Sequence, residues 1–497
     1  NISDIFNVLL TFDKLDSKTA RDGLDNIFIN EGNALFNDTF FAQLAKNRML
    51  ILDTVDCFRA FMDSQERLQF DQLYPIMYKI IRTNDNLDAP LESRELNFDF
   101  IFSYKDKMPQ DEYEHFVQRI RNEYPILLPL SERIKEYQEA CKPSNEARIQ
   151  VHRDDPLEAV FRLKNIPNIR SSSFNIKIDD EEAIDCGGVT KEFIELVAKE
   201  LVKPENNILT VVNNFYWFPY YKTVDTELLS KYENLGIFFA LVIKNQLEIP
   251  IRFPRYFFKK LLHRPISTQA DLPLYLEPIM LQSYMYMINT PQIEAAELPY
   301  SFPGPEVEID LTTFKEVTGN YQPPIVTDEN KGSLLNDLST WAFDKSISKI
   351  WKAFETGFYS VEIRSDLLCR YFRLDEIDIL FRGETKIDWS VLPDKTRYRS
   401  CHKDDELIQW FWQFFMQLDD NGKINAIKFI TGKSTIPIGG IPDNFIQIER
   451  DEYSQNNTMP KAHTCFNLLD LPNYPDYDEL ASKCELGFAS CEGFGFA

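Results

Sequence analysis

Five prolines, Pro75, Pro90, Pro109, Pro125 and Pro129, cut the first 144 residues of this chain into short pieces whose apolar residues recur at helical spacing. Proline lacks an N–H and clashes with the preceding turn, so each of these positions ends or begins a helix. Ile5, Val8, Leu9 and Phe12 form one stripe, Phe36, Phe40, Phe41 and Leu44 a second, and Phe58, Phe61, Met62 and Leu68 a third. Residues 1–144 therefore read as a mostly α-helical region, closed by a polar linker at 141–146.

Beyond the linker the texture becomes mixed. Phe174-Asn175-Ile176-Lys177-Ile178 alternates as a strand should, and Asp185-Cys186-Gly187-Gly188 reads as a turn. Thr190 is placed to cap a helix whose stripe is Phe193, Ile194, Val197 and Leu201. Leu334, Leu338, Trp341, Ile350 and Phe354 predict one long amphipathic helix stopped at Gly357. Residues 393–400 are polar and without apolar period, which predicts a connector. After it Leu407, Trp410, Phe411, Phe414, Phe415 and Leu418 share a helix face, a short strand is expected around 444–448, and Leu480, Cys484 and Phe488 suggest a last helix. The fold class is α+β, with a small α/β unit over the final hundred residues.

Composition limits the function classes. The net charge of −24 disfavours phosphate-backbone binding and an anionic membrane surface. Eight cysteines in 497 residues are no disulfide scaffold, and neither they nor the five histidines fall at zinc-ligand spacing. Reduced thiols point to a cytoplasmic or nuclear compartment. No apolar run approaches the roughly 20 residues that cross a bilayer. Two lookalike motifs fail on their details. Thr431-Gly432-Lys433-Ser434-Thr435 has Ile427 where a phosphate loop needs its first glycine, and Pro437 where its helix must run. Asp419-Asp420-Asn421-Gly422 would put Gln417 and Lys428 at the first and last positions of a calcium loop, where carboxylates are required.

The chemistry lies in Pro460-Lys461-Ala462-His463-Thr464-Cys465-Phe466-Asn467-Leu468-Leu469-Asp470-Leu471-Pro472. A thiolate is a strong nucleophile toward acyl carbon, although most lone cysteines are small buried hydrophobes. This stretch resembles the active-site signature of the HECT family of ubiquitin-protein ligases. Three further words follow the family's order: Asp185-Cys186-Gly187-Gly188-Val189-Thr190-Lys191-Glu192-Phe193, Thr431-Gly432-Lys433 through Ile438-Gly439-Gly440, and a tail with Phe494 fourth from the end. The resemblance covers residues 145–497.

It implies a bilobal catalytic domain: a mainly helical N-lobe over 145–400, which recruits a ubiquitin-conjugating enzyme, and a small α/β C-lobe over 401–497, hinged at 393–400. Cys465 would take ubiquitin from the conjugating enzyme as a thioester and pass it to a lysine of a protein substrate, with no metal or organic cofactor. His463 would orient the loop or assist proton removal, Thr464 would serve the oxyanion, Asp470 would steer the incoming lysine, and Phe494 would position the C-lobe. The positions matching the family's conjugating-enzyme groove are Leu274, Leu281, Leu298, Tyr300, Leu334 and Leu338. Two other classes stay open on the residues alone: a cysteine hydrolase using Cys465 with a histidine base, and a non-catalytic binding scaffold.

Overall fold

The computed structural model describes residues 41–42, 44, 48–64, 74–85, 87, 90–179, 188–304, 307–361, 365–384, 386–451 and 458–489. The stripe at 5–12, Phe36, Phe40, Leu68, Cys186 and Phe494 lie outside them. The chain folds as two compact units, each assembled from segments far apart in sequence.

The first unit comprises 1–140, 255–275 and 364–377. Its described part is helical, and the prolines take the places their chemistry allows. Pro109 precedes the helix Gln110–Glu123, Pro125 opens a single tight turn, and Pro129 precedes Leu130–Ala140. Asp111 and Glu112 in the first turn of Gln110–Glu123 and Arg121 in its last complement the helix dipole. Phe41, Leu44, Phe58, Met62, Met77, Ile80, Phe116 and Ile120 share one core. A buried ionic cluster ties the late segment to the early helices. Arg133 grips Glu376 with two bonds, at 2.6 and 2.8 Å, and also donates to the carbonyls of Leu128 and Tyr371. Arg373 donates to Asp85 at 3.1 Å and to the Leu96 carbonyl at 2.7 Å. Burial pushes the Asp85 carboxyl up against the pull of Arg373 and Arg82. Breaking a buried pair by removing one partner costs about 3–5 kcal/mol, so these bonds fix a register that apolar contacts alone leave open.

The second unit comprises 141–254, 276–363 and 378–497. Strand β1 (Asn145–Val151) pairs in parallel with β2 (Ser172–Ile178), Ile149 opposite Ile176, and alternate residues of β2 are buried as its sequence requires. The linker expected at 141–146 thus runs into a strand. Helix α1 (Gly188–Leu201) buries Phe193, Ile194, Val197 and Leu201. It starts before Thr190, which is buried inside its first turn rather than capping it.

Helix α2 (Thr226–Lys244) is capped by Asp225, whose carboxylate accepts the Leu228 N–H at 2.8 Å. Nearly every residue of its second half is buried, so α2 is the axis of this unit. Helix α3 (Pro278–Asn289) follows, then a small antiparallel sheet of Ser301–Pro303, Glu308–Asp310 and Lys315–Glu316. The single helix expected across 334–357 is two. Helix α4 (Leu334–Thr340) widens through one π turn at Trp341–Lys345, and α5 (Ser348–Ser360) starts anew after Ile347.

Gly357 does not stop α5 but lies inside it. A Cβ there would stand 1.8 Å from the Glu233 carbonyl oxygen, and one on Gly236 would stand 1.9 Å from that of Phe354. The two glycines let α2 and α5 cross backbone to backbone, and that demand outweighs glycine's tendency to end helices.

The C-terminal part of the unit is a four-stranded sheet with three helices. Strand β3 (Thr396–Arg399), helices α6 (Glu406–Gln417) and α7 (Asp420–Thr431), strands β4 (Ile446–Asp451), β5 (Lys461–His463) and β6 (Leu468–Pro472), and helix α8 (Tyr477–Ala489) follow in order. The sheet order is β5-β6-β4-β3, antiparallel only between β5 and β6. Phe411, Phe414 and Phe415 of α6, with Leu480, Cys484 and Phe488 of α8, belong to its core. The segment 393–400 is not a free connector, because Thr396–Arg399 pairs with β4 and Leu392 is fully buried in this same core. Its polar residues are those of an edge strand.

Gly357→Ala is expected to lower unfolding stability by about 3 kcal/mol, the upper end for overpacking a well-filled core, because a backbone carbonyl has nowhere to retreat. Urea titration of the variant against the parent checks this; a loss under 0.5 kcal/mol would mean that the helices separate easily.

Candidate active site

Cys465 stands in the tight turn Thr464–Phe466 that joins β5 to β6. Asn467 ends the turn in the left-handed region, with φ +50°, where its short polar side chain is tolerated. Its N–H donates to the Thr464 carbonyl at 3.3 Å, its own carbonyl accepts the Gln447 N–H at 2.8 Å, and its side-chain amide donates to the Phe445 carbonyl at 3.0 Å. The Gln447 side chain donates to the Phe466 carbonyl at 2.8 Å. The turn is therefore fastened to β4 and its approach at Phe466, whose ring is 60% exposed, and at Asn467.

Three stretches of sequence meet here, the first more than two hundred residues before the other two. The first turn of α1 abuts the thiol: a Cβ on Gly188 would lie 2.7 Å from Cys465 Sγ. Gly432, with φ +76°, closes α7 and lies beneath Thr464, 3.3 Å from its Cβ if a side chain were built. Lys191 Nζ donates to Asn467 Oδ1 at 3.0 Å. Glu195 accepts the backbone and hydroxyl of Ser434 at 3.0 and 2.7 Å, and Glu248 accepts from Lys433 at 2.9 Å. Gly188 and Lys191 come from the early glycine-containing word, Gly432 and Lys433 from the middle one.

The same geometry disposes of the two lookalike motifs. Thr431-Gly432 sits at the C-terminal, negative end of α7, the wrong end for phosphate. The Asp419 carboxylate caps that helix, accepting the Gly422 N–H at 2.7 Å.

Three of the other described thiols are less suited to nucleophilic work. Burial pushes Cys484 up to about 12 and raises Cys401, while Cys141 is buried. Cys465 is half-buried at the surface of its turn. His463, two positions before it, has its Nε2 2.8 Å from Asp470 Oδ2 across the β5–β6 pair. The imidazole is thus held by a carboxylate, and Asp470 is engaged with His463.

Of the six residues expected to form an apolar groove, three are buried. Leu334 and Leu338 are fully buried and Tyr300 nearly so, its hydroxyl donating to Asp337 at 2.6 Å. Tyr300 thus lies against α4, and Leu334 and Leu338, one turn apart on that helix, are core residues. Leu281 and Leu298 are half-buried, and Leu274 belongs to the first compact unit. The exposed apolar residues of this region are Ile279 and Tyr286, 74% and 57% accessible and two turns apart on α3, with Met285 beside them. Sequence reading missed them because exposure on an apolar helix is set by tertiary packing. It also missed Glu195 and Glu248, whose partners in the 431–435 loop are 239 and 185 residues away or more.

Among the described residues no group of acidic, cysteine or histidine side chains is placed to hold a metal, and no helix is long and apolar enough to cross a membrane.

Known proteins resemble this chain over 63–71% of its length. Probable E3 ubiquitin-protein ligase HECTD2 of Homo sapiens is 30% identical over 331 residues, which is 63% of this chain and 42% of that protein. E3 ubiquitin-protein ligase RSP5 of Chaetomium thermophilum is 29% identical over 370 residues, 71% of this chain and 44% of that one. E3 ubiquitin-protein ligase ptr1 of Schizosaccharomyces pombe is 27% identical over 365 residues, 70% of this chain and 11% of that one. The aligned region is thus less than half the length of each. The family described as HECT-domain (ubiquitin-transferase) matches residues 195–497, more than half of the chain and the whole of the turn and sheet that bear Cys465, so this chain belongs to the HECT-domain family.

Proposed function

We propose that this protein is a HECT-type ubiquitin-protein ligase that takes ubiquitin from a conjugating enzyme as a thioester on Cys465 and passes it to a substrate lysine. The observation that carries the reading is the turn at Cys465, where a half-exposed thiol is fastened to a sheet and seated against the first turn of α1. In the first step Cys465 Sγ attacks the carbonyl carbon of the incoming thioester, and the conjugating enzyme's cysteine leaves as thiolate. In the second a lysine nitrogen attacks the new thioester, loses its proton, and Cys465 leaves as thiolate. Each step exchanges one acyl bond for another, so placement of the groups matters more than driving force. His463, held by Asp470, keeps a polar imidazole beside the nucleophile, suited to orienting the loop or taking the proton of the attacking amine. Thr464 packs over Gly432, and its part is to seat the turn.

The partners of such an enzyme are ubiquitin, a conjugating enzyme and protein substrates, in the cytoplasm or the nucleus. The conjugating-enzyme surface in this reading is the exposed face of α3, Ile279, Met285 and Tyr286, with the half-buried Leu281 and Leu298 at its margin. An apolar patch with an aromatic anchor suits a transient protein partner. The chain then has two lobes, joined at 383–388 rather than 393–400. Gly383 has φ +86°, and a Cβ there would meet the Ile436 carbonyl oxygen at 2.8 Å, so the joint is built around a glycine.

Three outcomes follow. Cys465→Ala abolishes both the thiol-sensitive ubiquitin adduct and conjugation on a non-reducing gel, while Cys465→Ser leaves a slower oxyester that resists thiol but not hydroxide. A thiol-sensitive adduct surviving on the Cys465→Ala protein would overturn the assignment. Ile279→Asp with Tyr286→Asp slows loading of Cys465 at least tenfold, yet a preformed adduct still discharges to lysine at the parent rate; unaltered loading would put the recruiting face elsewhere. Deleting 494–497, or Phe494→Ala, leaves loading near normal and slows discharge by one to two orders of magnitude, about 1.4–2.7 kcal/mol of lost positioning. A pulse-chase with labelled ubiquitin reads this, and equal decay of parent and truncated adducts would contradict it.

A further inference from the structure

Lys191 has no part in the chemistry just described, yet it reaches the turn that carries the nucleophile from 276 positions away in sequence. Its ammonium supplies Asn467 with the one bond that does not come from the turn or from β4 and its approach. Asn467 is the left-handed residue on which the turn closes, so a force on its side chain is a force on the position of Cys465. Gly188, three residues earlier on α1, leaves the space into which the thiol is drawn.

The surroundings do not favour a cation. Lys191 is half-buried; burial first, then the neighbouring Lys433, lower it to about 8, while Glu248 and Cys465 pull the other way. The other charges near it are committed elsewhere. On its own helix Glu192 pairs with Arg153, and Glu195 with Lys428 and Ser434; across the turn His463 pairs with Asp470. A lysine kept where burial and a like charge oppose its protonation is a candidate functional position.

We propose that Lys191 is a positioning residue for acyl transfer at Cys465, holding the Thr464–Asn467 turn through Asn467 so that the thioester presents a fixed face to the attacking lysine. The proposal rests on Cys465 being the thioester residue. The bond is charge-assisted only while the ammonium keeps its proton, and such bonds are roughly twice as strong as neutral ones. The hold therefore weakens as pH rises through about 8. An arginine at the same place keeps its charge throughout that range.

The test uses the full chain with activating enzyme, a conjugating enzyme, labelled ubiquitin and ATP. Loading of Cys465, and single-turnover discharge of the purified adduct to free lysine, are followed separately from pH 6.5 to 9. Lys191→Met is expected to load within about twofold of parent and to discharge about tenfold more slowly at pH 7. Its Tm should be equal to or above the parent's, since an unfavourably buried charge has been removed. Lys191→Arg is expected to discharge within about threefold of parent at pH 7 and to gain on it steadily above pH 8. Lys191→Gln, a neutral donor, should show the same loss as Lys191→Met and replaces it if that variant does not fold. Discharge at the parent rate in the neutral variants overturns the proposal. So does equal slowing in Lys191→Met and Lys191→Arg with a lowered Tm, which would make Lys191 merely structural. A parent protein that never loads Cys465 overturns both this proposal and the ligase reading, whereas a parent that loads beside unaffected variants overturns this one alone.

Discussion

The seat of the Cys465 turn against the first turn of α1 is the contact on which the rest of the site depends. It requires a residue without a side chain at 188, a left-handed Asn at 467 and a glycine with positive φ at 432. None of these does chemistry, and each removes an obstacle to bringing a thiol to a helix start. The polar bonds of Lys191, Glu195 and Glu248 then fasten the turn and its neighbouring loop in that seat. A thiol on a mobile loop would have to be ordered anew at each transfer. Here much of that ordering is done by the fold.

Two features behind the site hold its platform. Helix α1 packs on β2 and on the axis helix α2, and α2 is locked to α5 by the glycine-lined crossing at 236 and 357. The sheet that bears Cys465 is fixed by the aromatic core of α6 and α8. Both platforms are rigid for ordinary packing reasons. The first compact unit is ordered by other means, with Arg133–Glu376 and Arg373–Asp85 joining segments that local sequence does not relate.

The local elements were legible in the residues. The alternation of 174–178, the stripe of α6 and the spacing of Leu480, Cys484 and Phe488 each gave the observed element, because one period was unopposed by anything distant. Cys465 was legible through the words around it. Failures came where a distant partner decided. Gly357 reads as a helix end until Glu233 is seen lying against it. Residues 393–400 read as a connector because an edge strand has few apolar residues. Leu334 and Leu338 match a groove by position, yet both are fully buried. The composition of the first unit, drawn from three separated segments, has no local signal, since buried arginines reveal their partners only in three dimensions.

The central claim is that one thiol, Cys465, carries ubiquitin between two partners. Its most direct test is on the unaltered protein. The adduct formed with activating enzyme, conjugating enzyme, ubiquitin and ATP is trapped in acid without reductant, digested, and every cysteine peptide is mapped by mass spectrometry. The account predicts the C-terminal remnant of ubiquitin on the peptide containing Cys465, with the seven other cysteines bearing none. A remnant found on any of those seven, with Cys465 unmodified, would contradict it.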